Sequence, residues 1–169
     1  MTATEKAPQA ATGQTTRVYR IYIKATPQTI WDAITKSEWT EKYGYGGRSE
    51  ITLTPGGLYK GYASDAMKAM GVPDVAVEGQ ILEVDPPRKL VQTWHPVWDP
   101  GVTAEPPTRL TWEIEEEYGV SRLTVTHELA GAPIAEAMVA GEVPNAGGGW
   151  VMVLSDLKTL LETGKSFAG

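Results

Sequence analysis

The chain carries one long apolar stripe near its C-terminus: Trp150, Leu154, Leu157 and Leu161, at i, i+4, i+7 and i+11. That spacing is the period of an amphipathic helix. Gly164 follows as a C-cap, and Gly141 to Gly149, with four glycines and a proline, breaks helical structure just before it. Most of the preceding chain alternates with period two, the pattern of half-buried strands. A single long helix with one apolar face, following a series of such strands, must bury that face on the sheet they form. This requirement narrows the fold to an α+β arrangement of one sheet and one principal helix.

The first strand is read at Val18 to Lys24, with Tyr19, Ile21 and Ile23 on one face. Thr26-Pro27 supplies an N-cap and a proline at the first helical position, so Pro27 to Thr35 is predicted as a short helix with Ile30, Trp31 and Ile34 inward. A second short helix is expected from Ser37 to about Tyr43, ended by the glycines of 44–47. Strands are then expected at Arg48 to Thr54, Leu58 to Ser64, Val75 to Val84, Arg88 to His95, Thr108 to Glu117 and Val120 to Leu129. Thr54-Pro55-Gly56-Gly57, Asp85-Pro86-Pro87 and Tyr118-Gly119 read as their turns. Asp65 to Asp74 is expected as a loop with room for one helical turn, Pro96 to Pro107 as a long loop, and Pro133 to Ala140 as a short helix. The domain is bounded at 17–164, with 1–16 a disordered tail and 165–169 a C-terminal tail.

Composition excludes several classes of function. A chain of 169 residues with 41% apolar content can bury a core. Its net charge of −6 disfavours nucleic acid and anionic membrane as partners. There is no cysteine, hence no disulfide, thiol nucleophile or thiolate metal site. Met1 to Thr16 lack the apolar centre of a secretory signal, and the longest apolar run, Trp150 to Leu154, is far too short for a membrane span. A cytoplasmic location is the expectation. Six Trp and seven Tyr stand against one Phe. Such rings pair a large apolar body with one polar atom, which suits either a core rim or the wall of a cavity.

The element order resembles the helix-grip fold of the START-like, or Bet v 1-like, superfamily. Within it, the chain resembles the activator of Hsp 90 ATPase homologue branch, grouped with polyketide cyclase and SRPBCC proteins. Tyr19 to Pro27 leading into Trp31-Asp32-Ala33-Ile34, Thr54 to Gly57, Glu78 to Arg88, Leu90 to Trp94, Leu123 to His127 and Gly149-Trp150 carry the likeness. It spans about Arg17 to Gly164. It implies a curved antiparallel sheet of about seven strands wrapped on the C-terminal helix, two short helices after the first strand, and a cavity between sheet and helix.

The resemblance implies such a cavity, and the residues expected at its wall are Trp31, Tyr59, Tyr62, Met67, Met70, Trp94, Trp98, Trp112, His127, Trp150, Leu154 and Leu157. Trp112 and His127 fall on the apolar faces of their strands. His127 is the most interesting titratable group, since a neutral imidazole can both donate and accept; the plainer reading is a structural histidine. Met67 and Met70, with Trp98, suit an adaptable mouth, or ordinary loop packing. His95 and His127 lack the closely spaced carboxylate or histidine partners of a metal site, so no metal and no cofactor is expected. Gly147-Gly148-Gly149 lacks the basic residue of a phosphate loop and reads as a bend permitting close approach. Glu113, Glu115, Glu116 and Glu117 read as a solvated hairpin end.

No catalytic template is present, so the leading expectation is a non-catalytic protein, monomer or homodimer, that holds a small hydrophobic molecule, aromatic or polycyclic. The resemblance leaves two alternatives: a polyketide cyclase or aromatase-like enzyme moving protons through His127, and a domain that touches a chaperone of the Hsp 90 class. The chain has no room for the extra N-terminal domain of the eukaryotic co-chaperones, which favours ancestry over activity as the meaning of that likeness.

Overall fold

The computed structural model describes residues 15–167. In chain order these form β1 (Thr16–Ile23), α1 (Pro27–Thr35), α2 (Ser37–Thr40), β2 (Ser49–Ile51), β3 (Leu58–Tyr62) and α3 (Asp65–Ala69). There follow β4 (Val75–Asp85), β5 (Lys89–Pro96), α4 (Pro100–Thr103), β6 (Thr108–Glu117), β7 (Val120–Glu128), α5 (Pro133–Val139) and α6 (Gly149–Thr163). Residues 1–14 of the expected tail lie outside the described residues, and Thr16 already pairs with Glu128 in the sheet. Among the described residues, no helix is long and apolar enough to cross a membrane.

The strands make one antiparallel sheet in the order β1-β7-β6-β5-β4-β3-β2. Helices α1 and α2 carry the chain from the β1 edge to the β2 edge, which is why two short helices must follow the first strand. Thr26 caps α1 by accepting from the Thr29 amide at 3.1 Å, a contact worth about 1 kcal/mol. Ile30, Trp31 and Ile34 are buried under the sheet. Register shifts at Gly61/Tyr62 and at Ile81/Glu83 interrupt the β3–β4 and β4–β5 ladders. Such irregularities bend and twist a sheet locally, and both fall in the half farthest from β1.

Several expected elements are shorter or more ordered than the pattern suggested. The second helix stops at Thr40, short of the expected Tyr43, and the chain then turns through Gly44 and Gly46, both in left-handed conformation. Only Ser49–Ile51 of the expected strand 48–54 pairs. The segment after β3 does contain a helical turn, α3, capped by Ser64 on the Met67 amide. The proline-rich loop holds α4, capped by Asp99 on the Val102 amide. At the end of α6 the buried residue is Leu160, with Leu161 half-buried beside it, and Gly164 closes the helix at φ 86°.

Helix α6 is seated toward the β1 edge. Lys158 Nζ donates to the Tyr22 carbonyl at 2.8 Å and the Lys24 amide donates to Glu162 at 2.7 Å. Leu154, Leu157 and Leu160 enter one core with Ile23, Ile30, Ile114, Leu123 and Val125. Asp156, fully buried on the same helix, accepts from the Gly44 amide (2.8 Å), from Ser166 Oγ and from the Phe167 amide (2.8 Å). One carboxylate thus ties the loop after α2 and residues 166–167 of the expected C-terminal tail to the principal helix.

Hydrogen bonds to a buried charge are among the strongest in a fold, and losing the acceptor leaves buried donors unpaired. Asp156→Ala is therefore expected to lower unfolding free energy by about 3 kcal/mol, read from urea denaturation, and to speed amide exchange at Gly44. Unchanged exchange at Gly44 would show that the carboxylate does not hold this loop.

Candidate functional site

The inward face of the sheet is set by strand alternation. On β5 it carries Leu90, Gln92 and Trp94; on β6 it carries Leu110, Trp112 and Ile114; on β7 it carries Leu123, Val125 and His127. Because α6 leans to the β1 side, only half of this concave surface is covered by the helix's leucines. Over the other half lies a recess of about 560 Å³. Its floor comes from β3 to β6, including Tyr59, Gly61, Val77, Gln92, Trp94 and Trp112. Its walls are Tyr43 to Gly47, Met67, Met70, Val72 and Trp98 on one side, and Met138, Val139, Asn145 to Gly147 and the start of α6 on the other.

Eight of the twelve residues expected at a cavity wall line this recess: Tyr59, Tyr62, Met67, Met70, Trp94, Trp98, Trp112 and Trp150. Trp31, Leu154 and Leu157 do not. They belong to the closed core, where α1 and the middle of α6 pack flush on the β1, β7 and β6 side. His127 does not line it either. It is 0% exposed and sits behind the rings of Trp94 and Trp150, at 5.0 and 6.1 Å between ring centres.

His127 is instead the centre of a hydrogen-bond chain. The Trp150 indole N–H donates to Nδ1 at 3.1 Å, which makes Nδ1 the acceptor and leaves the ring proton on Nε2. Nε2 then donates to Thr108 Oγ1 at 2.8 Å, and Thr108 Oγ1 donates to the Trp94 carbonyl at 3.0 Å. Every polar group in the chain has a partner. Burial pushes the imidazole down from its ordinary value of 6.5 to about 3, so it stays neutral. A ring with both nitrogens engaged and no face on the recess has no proton to exchange with anything bound there.

The start of α6 is shaped by glycine. Gly149 has φ 68°, and a Cβ on it would collide with the Val139 carbonyl oxygen. Gly147, at φ 86°, lies so close to the Tyr45 ring that a side chain would strike it. The close approach lets the Gly149 amide donate to Tyr45 Oη at 3.1 Å, and Tyr45 Oη donate to the Ala146 carbonyl at 3.4 Å. Tyr45 thereby bridges the two loops that flank the recess.

The remaining candidates lie elsewhere. His95 points to the opposite face of β5 from Trp94 and bonds the Thr103 carbonyl at 3.0 Å, so it cannot meet His127. No group of three or more His, Asp or Glu residues able to hold a metal ion occurs among the described residues. Glu115 and Glu117 pair with Arg122 on the outer face of the last hairpin. Among the residues not expected at the recess are Tyr43 to Gly47, Val72, Val77, Met138 and Gln92. Gln92 had a legible signal: a polar side chain at an inward position between Leu90 and Trp94. The loops had none beyond their glycines.

The profile of the family described as activator of Hsp90 ATPase homolog 1-like protein matches residues 24–162. Among solved structures, CalU16 from Micromonospora echinospora is 19% identical at a TM-score of 0.60, covering 88% of this chain and 77% of that one. Protein MLL2253 from Mesorhizobium loti is 18% identical at 0.66, covering 87% and 96%. The Aha1 dimer from Colwellia psychrerythraea is 17% identical at 0.60, covering 89% and 98%. At these identities the likeness is one of fold. No curated protein matches.

The depressed value of His127 sets a pH dependence. Below 6.5 the unfolded chain binds a proton at this residue that the folded chain refuses until about 3. Proton uptake by the unfolded state favours unfolding, so this contribution is complete above 6.5 and is lost as pH falls toward 3. Between about pH 6 and about pH 4 it removes about 1.4 kcal/mol of stability per pH unit. Urea unfolding across that window should show His127→Phe losing this component of the slope. An identical slope in both proteins would mean that the imidazole is already charged in the folded state.

Proposed function

The chain belongs to the family of activator of Hsp90 ATPase homolog 1-like proteins, and from that premise we propose that it binds a small hydrophobic molecule, aromatic or polycyclic, in the recess beside the start of α6. The observation that carries this reading is the composition of the wall. Tyr43, Tyr59, Trp94, Trp98, Trp112 and Trp150 converge on one space, with Met67, Met70 and Met138 at its borders. Aromatic rings offer large, stiff contact area for a flat ligand, and methionines adapt to its outline. A volume of about 560 Å³ lies in the range of sites for drug-sized molecules.

A proton-transfer role for His127 finds no support in this geometry, since the ring is neutral, enclosed and fully bonded. The catalytic reading therefore loses the one histidine it named, and the recess offers it no histidine, carboxylate or lysine. Binding without turnover is the function that the arrangement favours. Tyr45 and Met70, exposed at the rim, stand where a ligand would enter.

The test is a thermal-shift screen against flavonoids, polyketides, sterols and fatty acids. A ligand at about a hundred times its dissociation constant adds roughly 2.7 kcal/mol to the folded state. Polycyclic aromatics are expected to raise the melting temperature. Val72→Trp, which fills part of the wall from a half-buried position, should weaken binding of any hit by roughly tenfold or more while leaving the free protein folded. No shift with any class would turn attention to a protein partner.

A further inference from the structure

The recess is unusual in what it lacks. None of the residues that line it is Asp, Glu, Lys, Arg or His. Burial also pushes the phenols of Tyr43 and Tyr59 up, so neither ionises near neutral pH. A carboxylate or phosphate entering this space would give up its hydration and find no counter-charge, which is prohibitive without one. The wall therefore selects for an uncharged ligand.

Gln92 presents to the recess a polar atom without a hydrogen-bond partner among the described residues. Gln92 is 2% exposed, on the floor between Trp94 and Leu110. Its Nε2 donates to the Thr93 carbonyl at 3.3 Å. A carbonyl can only accept, so this bond settles which end of the carboxamide is nitrogen. The other end, Oε1, has no hydrogen-bond partner among the described residues. Nor is it among the polar atoms that the protein seals off without a partner. It therefore opens on the recess. A ligand that fills the recess without supplying a donor there leaves this acceptor unpaired, which costs free energy comparable to a lost hydrogen bond, and a ligand that supplies the donor avoids that cost.

We propose that Gln92 is the specificity-determining residue of this site, and that its Oε1 accepts a hydrogen bond from a hydroxyl or other N–H or O–H group on an uncharged polycyclic ligand. The assignment rests on the ligand-binding reading above. It narrows that reading: fatty acids and other anions are rejected, and a hydroxylated ring system is preferred over the same rings without the hydroxyl. The preference arises because the competing ligand leaves Gln92 unpaired, which is how buried polar groups discriminate most sharply.

Three probes of matched shape test this on the full chain at neutral pH: hydroxypyrene, methylpyrene and pyrene carboxylate. Pyrene absorbs where tryptophan emits, so energy transfer from the tryptophans of the wall reports binding. Wild-type protein should bind hydroxypyrene roughly tenfold more tightly than methylpyrene, and pyrene carboxylate most weakly of the three. In Gln92→Met, close in volume and without the acceptor, the preference for hydroxypyrene over methylpyrene should vanish while methylpyrene binds as well or better. Gln92→Leu serves as a second variant should the first fail to fold. A hydroxyl preference that persists in a folded variant would overturn the role of Gln92. Equal binding of all three probes by wild type would overturn the inference and leave the binding function standing. Binding of none would remove both.

Discussion

The hydrogen-bond chain through His127 holds the start of α6 to the sheet. It runs from an indole on the helix, through an imidazole on β7 and a hydroxyl on β6, to a carbonyl on β5. A neutral imidazole is the group that makes such a chain possible, since it accepts at one nitrogen and donates at the other. The chain is enclosed, so each bond is formed in a medium where the alternative is an unpaired polar group. Its geometry places the Trp150 ring edge-on to Trp112, at 5.3 Å and 87°. Trp112 and Trp94 on the floor and Trp150 on the adjoining wall are then presented together to the recess.

That anchoring also explains why the space exists. With its first turn held by His127 and its last turns held by Tyr22 and Lys24, α6 cannot slide across the sheet to cover the β3–β5 half. The β3–β4 and β4–β5 ladders of that half are interrupted by register shifts, which bend and twist a sheet locally. The loops at 43–47 and 145–149 approach instead, joined by Tyr45 and steadied by Asp156. Small residues at the contact, Gly147 and Gly149, permit backbone to approach backbone and ring where any side chain would collide. The space left beneath is bordered by stiff rings and by methionines.

Much of this was legible from the residues in order. Period-two runs marked the strands, and Thr26-Pro27 marked the start of α1 to the residue. The stripe from Trp150 to Leu161 marked the principal helix. The family likeness supplied the way these elements pack. Of the eight wall residues, Met67, Met70 and Trp98 followed from the adaptability of side chains on or beside a loop, Trp150 from the helical stripe, and Trp112 from strand alternation, a local property of the backbone. Gln92 was visible in the same way, as a polar residue in an apolar row, but its meaning depended on whether a partner reached it.

Local rules stopped where distance in sequence became large. Trp31, Leu154 and Leu157 obey the same apolar patterns as Trp94 and Trp112, yet they fall in solid core while the others fall at a void. The difference comes from where α6 rests on the sheet, a rigid-body placement set by contacts between residues more than twenty positions apart, such as His127 with Trp150. The neutral state of His127 and the free oxygen of Gln92 have the same origin. Each depends on which groups arrive from other strands and how completely they exclude water. Residue order is therefore enough for the elements and their faces, since those follow from backbone period and side-chain polarity alone. Packing chose which apolar face closed and which stayed open, because a cavity is a property of the gaps between elements.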